Sequence, residues 1–204
     1  MNVEQTPNSE PLAERIVSDV ETLRALSDPL RIRILEAMVE ADRESWTVKR
    51  ISAALGVGPT KLYHHIKILE ERELIRPAGQ QLVRGIVETS YRIGQLQLRL
   101  DRRLLASGEA DVRSAAEEAI TAVFDQARAD LERAMAAGLV HVDGEPDPHR
   151  PLLLRRDLFK TTPDRAAELR ERLTALLDEY GADTEGDLTL GLLVSLHPLM
   201  RKDR

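Results

Sequence analysis

Residues 48–69 read VKRISAALGVGPTKLYHHIKIL, and this stretch decides the fold because it predicts two helices separated by only three residues. Thr47 is placed to cap the first helix with its side chain, and Gly56 supplies a left-handed stop. Gly58 and Pro59 announce the second helix, because proline is tolerated in a first helical turn. So short an interval favours a tight helix-turn-helix.

Two more helices are predicted upstream of this stretch. Residues 14–26 carry apolar side chains at helical spacing, namely Ile16, Val20, Leu23 and Leu26. Ser27 and Asp28 followed by Pro29 form a start signal, since a short polar side chain caps free backbone amides. We therefore expect an amphipathic first helix over residues 14–26 and a second helix over residues 30–41.

Downstream of Leu74 the periodicity changes from helical to alternating. Within residues 86–93, IVETSYRI, every second residue belongs to the set Val87, Thr89, Tyr91 and Ile93. A period of two indicates a strand, and Pro77, Gly79 and Gly85 punctuate the chain before it. We expect a β-hairpin with strands at residues 74–76 and 86–93 and a polar tip at residues 79–85.

Beyond residue 97 the chain becomes helical again. A stripe ending at Gly138 predicts one long amphipathic helix, and it consists of Val112, Ala116, Ala119, Val123, Ala127, Leu131 and Ala134. Its alanines permit close helix packing, so the stripe is either a dimer seam or a surface packed on the N-terminal module. The proline- and acid-rich residues 141–151 are interpreted as a linker.

After this linker the pattern predicts a strand-helix-strand unit. The strands are PLLLRRDLFK and LTLGLLVSLHPL, and the helix between them has Thr162 as its cap and Pro163 at its first position. The predicted fold class is mainly α with a small β content (α+β). It comprises a winged helix-turn-helix domain at residues 12–97 and a module for dimerisation, and for effector binding if one exists, at residues 98–204.

The charge distribution favours a nucleic-acid partner although the whole chain is acidic, at −6. Residues 45–95 hold eight Lys and Arg against four Asp and Glu, a net charge of +4, so the remainder carries −10. A basic module joined to acidic ones is expected when one part of a protein meets phosphate. Chance clustering on a solvated surface is the alternative.

Composition excludes several classes of site. The chain has no cysteine, which excludes disulfides, thiolate metal sites and a thiol nucleophile, and a reducing compartment, the cytoplasm, is expected. Residues 1–14 are polar and acidic and resemble no secretory signal, and no stretch has the length and freedom from charge of a membrane span. No glycine-rich phosphate loop, His-Glu-x-x-His or nucleophile-elbow pattern is present, so an enzyme is not expected.

A helical wheel divides the helix after Pro59 into two sides. Leu62, Ile66 and Leu69 lie together on the side predicted to face the core. The opposite side presents donors and cations suited to base edges and phosphates, namely Thr60, His64 and Lys67, flanked by Lys61 and Tyr63. A merely solvated polar face is the alternative to this interpretation.

The order and spacing of these elements resemble the ArsR-like winged-helix regulators. The resemblance rests on LRALSDPLRIRIL, VKRISAALGVGPTKLYHHIKILEERELI and TSYRI, within residues 20–95. It implies that the fourth helix is a recognition helix, that the hairpin is a wing, and that the protein is a homodimer controlling transcription. No cofactor is implied, and double-stranded DNA and a second copy are the expected partners, with a small-molecule effector left open.

From the wheel and the resemblance together, the expected DNA-binding residues are Lys49, Arg50, Thr60, Lys61, Tyr63, His64, Lys67, Gln80, Gln81 and Arg84. Thr60, Lys61 and His64 are expected to contact bases, because the first turn of a recognition helix penetrates the groove. Lys49, Arg50, Lys67 and Arg84 are expected to contact phosphate. A winged-helix adaptor that binds protein without DNA is the alternative function, and an enzyme carrying a winged-helix appendage ranks below it.

The chain departs from the metal-sensing members of that family. Alanines occupy the positions of their paired thiolates, as in ISAAL, so metal sensing is not expected. His65 lies at the edge of the core stripe and is expected to be a packed, capping or phosphate-bonded residue. The remaining set with metal-ligand chemistry lies in the predicted linker and is interpreted as solvated, namely His141, Asp143, Glu145, Asp147 and His149.

Overall fold

The computed structural model describes residues 10–40, 44–83, 85–140, 152–181 and 188–199. The described residues up to Arg128 form one compact unit, and those from Ala129 onward form a second. The mixed helix and strand content confirms the predicted α+β class. The elements are β1 (Leu12–Val17), α1 (Val20–Ala25), α2 (Pro29–Glu40), β2 (Trp46–Thr47), α3 (Val48–Leu55), α4 (Pro59–Glu71), β3 (Ile75–Val83), β4 (Ile86–Ile93), β5 (Gln95–Leu100), α5 (Arg102–Ala106), α6 (Ala110–Ala136) and α7 (Pro163–Gly181).

The ends of α2, α3 and α4 are confirmed as predicted. The Asp28 carboxylate accepts hydrogen bonds from the amides of Leu30 at 2.9 Å and Arg31 at 3.2 Å, so it caps α2. Thr47 Oγ1 accepts from the Arg50 amide at 3.2 Å and caps α3. Gly56 ends α3 with φ at +65°, a conformation that costs glycine little.

One aliphatic core holds the three helices and the wing together. Its fully buried members come from α2, α3, α4 and the start of β3, namely Ile34, Met38, Ile51, Leu62, Ile66, Leu69, Leu74 and Ile75. Trp46 and Ile93 close it from the sheet, which has the strand order β2-β4-β3. The predicted core side of α4 is therefore confirmed.

The wing is a longer hairpin than the sequence suggested. We expected a loop at residues 79–85, but β3 runs to Val83, where Leu82 pairs with Val87 and Val83 with Ile86. The register shifts between Pro77 and Gly79, so a bulge absorbs the proline and glycine and pairing resumes beyond them. The prediction of a polar tip over this range was wrong for that reason.

The first predicted helix is also corrected. Residues 12–17 form β1, which runs parallel to β5, and only residues 20–25 are helical. The Asp19 carboxylate accepts from the Thr22 amide at 2.8 Å, so the helix starts after Asp19. Upstream of that cap, the Arg15 guanidinium donates to the Arg72 carbonyl at 2.7 Å and fixes β1 to the end of α4.

The long helix beyond residue 97 is confirmed as α6, although β5 and the short α5 precede it. Val112, Ala115 and Ala116 of α6 pack with Val17 and Leu23 in a second cluster of buried residues. The first part of the predicted stripe thus packs on the N-terminal module, which was one of the two expectations for it.

In the second unit the helix is confirmed and the strands are not. Thr162 Oγ1 accepts from the Arg165 amide at 3.3 Å at the start of α7, as the sequence predicts. Neither residues 152–162 nor residues 188–199 form a strand. An alternating pattern becomes a strand only when a neighbouring strand satisfies its amides and carbonyls, and the described residues of a single chain supply none here.

Two further predictions concern membrane spans and the linker at residues 141–151. Among the described helices, none combines the length and the apolar character needed to cross a bilayer. The linker at residues 141–151, with its five candidate metal ligands, lies outside the described residues.

Gly94 is predicted to tolerate no side chain. It joins β4 to β5 against the backbone of the turn that follows α4, where an added Cβ would collide with the Glu73 carbonyl oxygen and lie 3.1 Å from that of Leu74. We expect Gly94→Ala to lower the free energy of unfolding by about 1–3 kcal/mol, as overpacked sites do. Urea denaturation of the full chain measures it.

Gly79→Ala is the matched control, since the nearest atom to its added Cβ, Ser90 Oγ, lies 3.6 Å away, an ordinary contact. Its effect should stay within about 0.5 kcal/mol. Equal stability of the two variants would contradict the close approach described at Gly94.

Candidate nucleic-acid interface

The outer side of α4 is open to solvent along its length. Thr60, Lys61, Tyr63, His64 and Lys67 are all exposed, whereas Leu62, Ile66 and Leu69 behind them are buried. Tyr63 stands out because its aromatic side chain is 62% exposed. A large amphipathic ring left in water on a rigid helix is typical of a surface that meets a partner.

The start of α4 adds backbone donors to this side. Gly58 occupies the N-cap position, and no side chain caps the helix there. The Lys61 amide donates to the Gly58 carbonyl at 3.1 Å, while Pro59 has no amide to satisfy. The positive end of the helix therefore points outward without a side-chain acceptor, which suits a phosphate oxygen.

The two predicted phosphate contacts on α3 differ in how they are held. Lys49 is exposed. The Arg50 guanidinium instead makes a 2.6 Å ion pair with Glu44 and stacks 4.1 Å from the centre of the Trp46 ring. Cation–π stacking and an ion pair together give the exposed Arg50 side chain a preferred position against its own chain. A phosphate would have to displace Glu44 to reach it.

Lys67 remains available at the far end of the same side. Its Nζ lies 3.8 Å from the Glu71 carboxylate one turn later, but its side chain is 74% exposed. Exposed pairs of this kind contribute little, so exchanging Glu71 for a phosphate is inexpensive.

The wing places its two glutamines on the hairpin and not in a loop. Gln80 is paired with Thr89 and Gln81 with Glu88, and both glutamines are exposed. Arg84, the cation predicted at the tip, lies outside the described residues. The described end of the hairpin is apolar, with Leu82, Ile86 and Val87 exposed.

Two cations on the wing were not singled out as site residues. Arg76 of β3 and Arg92 of β4 stand directly opposite one another in the ladder. The sequence pattern could have identified them, because each arginine is next to a buried isoleucine, Ile75 or Ile93, and alternation along a strand then places both arginines on the side away from the core.

His65 connects α4 to the start of α2. Its ring is buried, and its Nδ1, which makes no hydrogen bond within the described residues, lies 3.6 Å from the Asp28 carboxylate that caps α2. Arg31 lies 3.7 Å from the same carboxylate and donates to the carbonyls of Ala25 and Arg24. The packed role predicted for His65 is confirmed.

Burial lowers the pKa of His65 below its ordinary value, and the positive charges of Arg31 and Lys61 and the neighbouring His64 act in the same direction, while Asp28 opposes them. The folded protein therefore binds a proton at this site less readily than the unfolded chain does. The stabilisation from the neutral ring is complete above the unfolded pKa, about 6.5, and is lost as the pH falls from there through the folded pKa.

We expect His65→Gln to reduce the loss of unfolding free energy between pH 7.5 and pH 5. Thr60→Ala at an exposed position of the same helix is the control, because it removes no titratable group, and it should keep the wild-type pH dependence. Urea denaturation at several pH values measures both variants. If His65→Gln lost stability with acidification as steeply as the wild type, the burial assigned to His65 would not govern this pH range.

Comparison with known proteins adds one finding. A family model described as a helix-turn-helix domain matches residues 26–78. No curated protein matches the chain. The matched residues contain α2, α3 and α4 and reach the beginning of β3, so the resemblance predicted from the sequence is confirmed at this level. The chain therefore contains a helix-turn-helix domain at residues 26–78, and α4 is the last helix of the matched region.

Proposed function

We propose that the protein is a sequence-specific transcription regulator that binds a pseudo-palindromic operator as a homodimer and acts as a repressor. One observation carries this proposal, namely the exposed polar side of α4 held rigidly by Leu62, Ile66 and Leu69. A helix of this kind fits the width of the major groove. The helix-turn-helix match at residues 26–78 supports the same class of function.

The residues of α4 divide into two groups by position. Thr60, Lys61 and His64 lie in its first turns, which enter the groove in helix-turn-helix docking, and are proposed to contact base edges. Lysine recognises guanine O6 and N7, and hydroxyl groups bond to either kind of base pair. Tyr63 flanks this group and Lys67 follows it, and Lys67 is proposed to contact phosphate.

Phosphate contacts would come from elements around α4. The uncapped start of α4, Lys49 on α3, and the wing with Arg84 and its glutamines are the proposed contacts, with Arg50 joining them if Glu44 is displaced. Residues 45–95 carry a net charge of +4. This basic region, and not the acidic remainder of the chain, is therefore expected to associate with the duplex. Such contacts set register and affinity without choosing the sequence.

Two copies would place two α4 helices on one face of the duplex. In dimers of this class the half-sites lie about 34–36 Å apart, one helical turn. Residues 98–204 are proposed to provide the dimer contacts and to hold a small apolar effector. Repression follows if the operator overlaps a promoter. The reducing cytoplasm is the proposed location, and no catalytic role is proposed.

A protein-interaction adaptor is the second candidate. The apolar end of the wing favours it, since Leu82 and Ile86 are each 73% exposed. Titration of duplex DNA at increasing salt separates the two functions, because neutralised phosphates release counterions and a DNA binder loses affinity steeply. An adaptor would show no such dependence.

We expect Lys61→Ala to weaken binding to a duplex selected from random sequences by about 1–3 kcal/mol, the value of a good base contact. His64→Ala should do the same if its ring contacts a base. Binding to a random duplex should change much less. Fluorescence anisotropy at fixed salt measures both duplexes.

Lys67→Ala is the matched control for Lys61→Ala, since both remove one exposed lysine from α4. It should weaken the selected and the random duplex by the same factor and lower the slope of log affinity against log salt by about 1. Base recognition by the first turn is wrong if Lys61→Ala behaves in the same way as Lys67→Ala.

A further inference from the structure

The described second unit has no interior of its own. None of its residues is buried, and the last buried residue along the described chain is Gln126 of α6. A helix such as α7, which has 19 residues and an amphipathic sequence, gains most of its stability in a protein from packing of its apolar side and less from helix propensity. The described unit therefore requires a partner surface.

The apolar side of α7 is well formed and open. It consists of side chains at helical spacing, namely Leu169, Leu173, Leu176, Leu177 and Tyr180. Leu176 is 50% exposed and Tyr180 is 72% exposed. Beside this stripe Glu168 pairs with Arg165 at 3.1 Å and with Arg172 at 3.5 Å. An apolar stripe bordered by charged side chains that pair with one another resembles the apolar core and the polar rim of a protein–protein interface.

A second apolar surface lies in residues 188–196. Every second side chain is a leucine or valine, and all of them are exposed, namely Leu188, Leu190, Leu192, Val194 and Leu196. Thr189, Gly191, Leu193 and Ser195 occupy the positions between them, and Leu193 is also exposed. Leu153, Leu154, Leu158 and Phe159 are likewise exposed in the segment that precedes α7.

We propose that a second copy of this chain covers these side chains, so that α7 and residues 188–196 form the dimer surface. The proposal deepens the homodimer invoked under the proposed function and rests on it. Full burial of one such side chain removes roughly 60–120 Å² of apolar surface. The dozen exposed here reach about the 800 Å² per partner that a stable interface needs.

The identity of the partner follows from size and charge. A small ligand cannot cover side chains spread over a five-turn helix and two flanking segments. An anionic membrane is disfavoured, because α7 carries five acidic residues against three arginines and is therefore net negative, whereas membrane-surface helices are rich in lysine and arginine. A second copy is always present in equal amount, and a two-fold interface brings the same surface of both copies together.

The experiment uses the full chain and compares an apolar with a polar position of the same exposed segment. Leu192→Arg would bury an unpaired charge in the dimer surface, whereas Ser195→Arg introduces the same side chain where the chain already carries a polar residue. Sedimentation equilibrium gives the dimer dissociation constant of each. We expect Leu192→Arg to raise it by about 100-fold or more and Ser195→Arg by less than about 3-fold.

A second pair of variants tests α7 in the same way. Leu176→Arg lies within the stripe, and Thr174→Arg lies outside it on the same helix. The first should dissociate the dimer and the second should not. The chain's single tryptophan, Trp46, is buried in the first unit, so its fluorescence shows whether that unit stays folded in each variant.

A folded first unit together with a dissociated dimer for Leu192→Arg and Leu176→Arg supports the proposal. Dimers of wild-type affinity in both variants, or a wild-type chain that is monomeric at tens of micromolar, overturn it. A different result would contradict the proposed function. A wild-type dimer that dissociates as predicted but binds no duplex in a random-sequence selection contradicts DNA binding and leaves the dimer surface standing.

Discussion

The rest of the structure depends on the burial of Leu62, Ile66 and Leu69 behind α4. Each is almost wholly withdrawn from water, and truncating a leucine in such a position typically costs 2–5 kcal/mol. Because these three contacts fix the rotation of α4 about its own axis, they also determine which side chains remain outside. Packing in the core therefore determines which side of the helix is exposed to solvent.

A second set of contacts ties α4 to neighbouring elements of the fold. His65 lies against the Asp28 carboxylate at the start of α2, and Arg15 bonds the Arg72 carbonyl just beyond the end of α4. Helix α4 is thus tied to α2 and to the N-terminal strand β1. Positions held within fractions of an ångström are what a set of base contacts requires.

Local signals predicted α2, α3 and α4 from the sequence, because Asp28, Thr47, Gly56 and Pro59 act on the residues beside them. The parallel β1–β5 pair was missed, since its register depends on residues far apart in the chain. The exposed side of α4 was predicted from its period. The ion pair of Arg50 with Glu44 and the facing arginines of the wing were not, because sequence patterns do not specify such tertiary contacts.

The central claim is that the polar side of α4 reads the major groove, and substitution of 7-deazapurines into a selected duplex tests it most directly. This change removes the purine N7 acceptor from the major groove and leaves the minor groove unaltered. We predict that binding falls at two clusters of positions about 10 base pairs apart, one for each α4 of the dimer. Full affinity for a duplex in which every purine N7 is replaced would contradict the account.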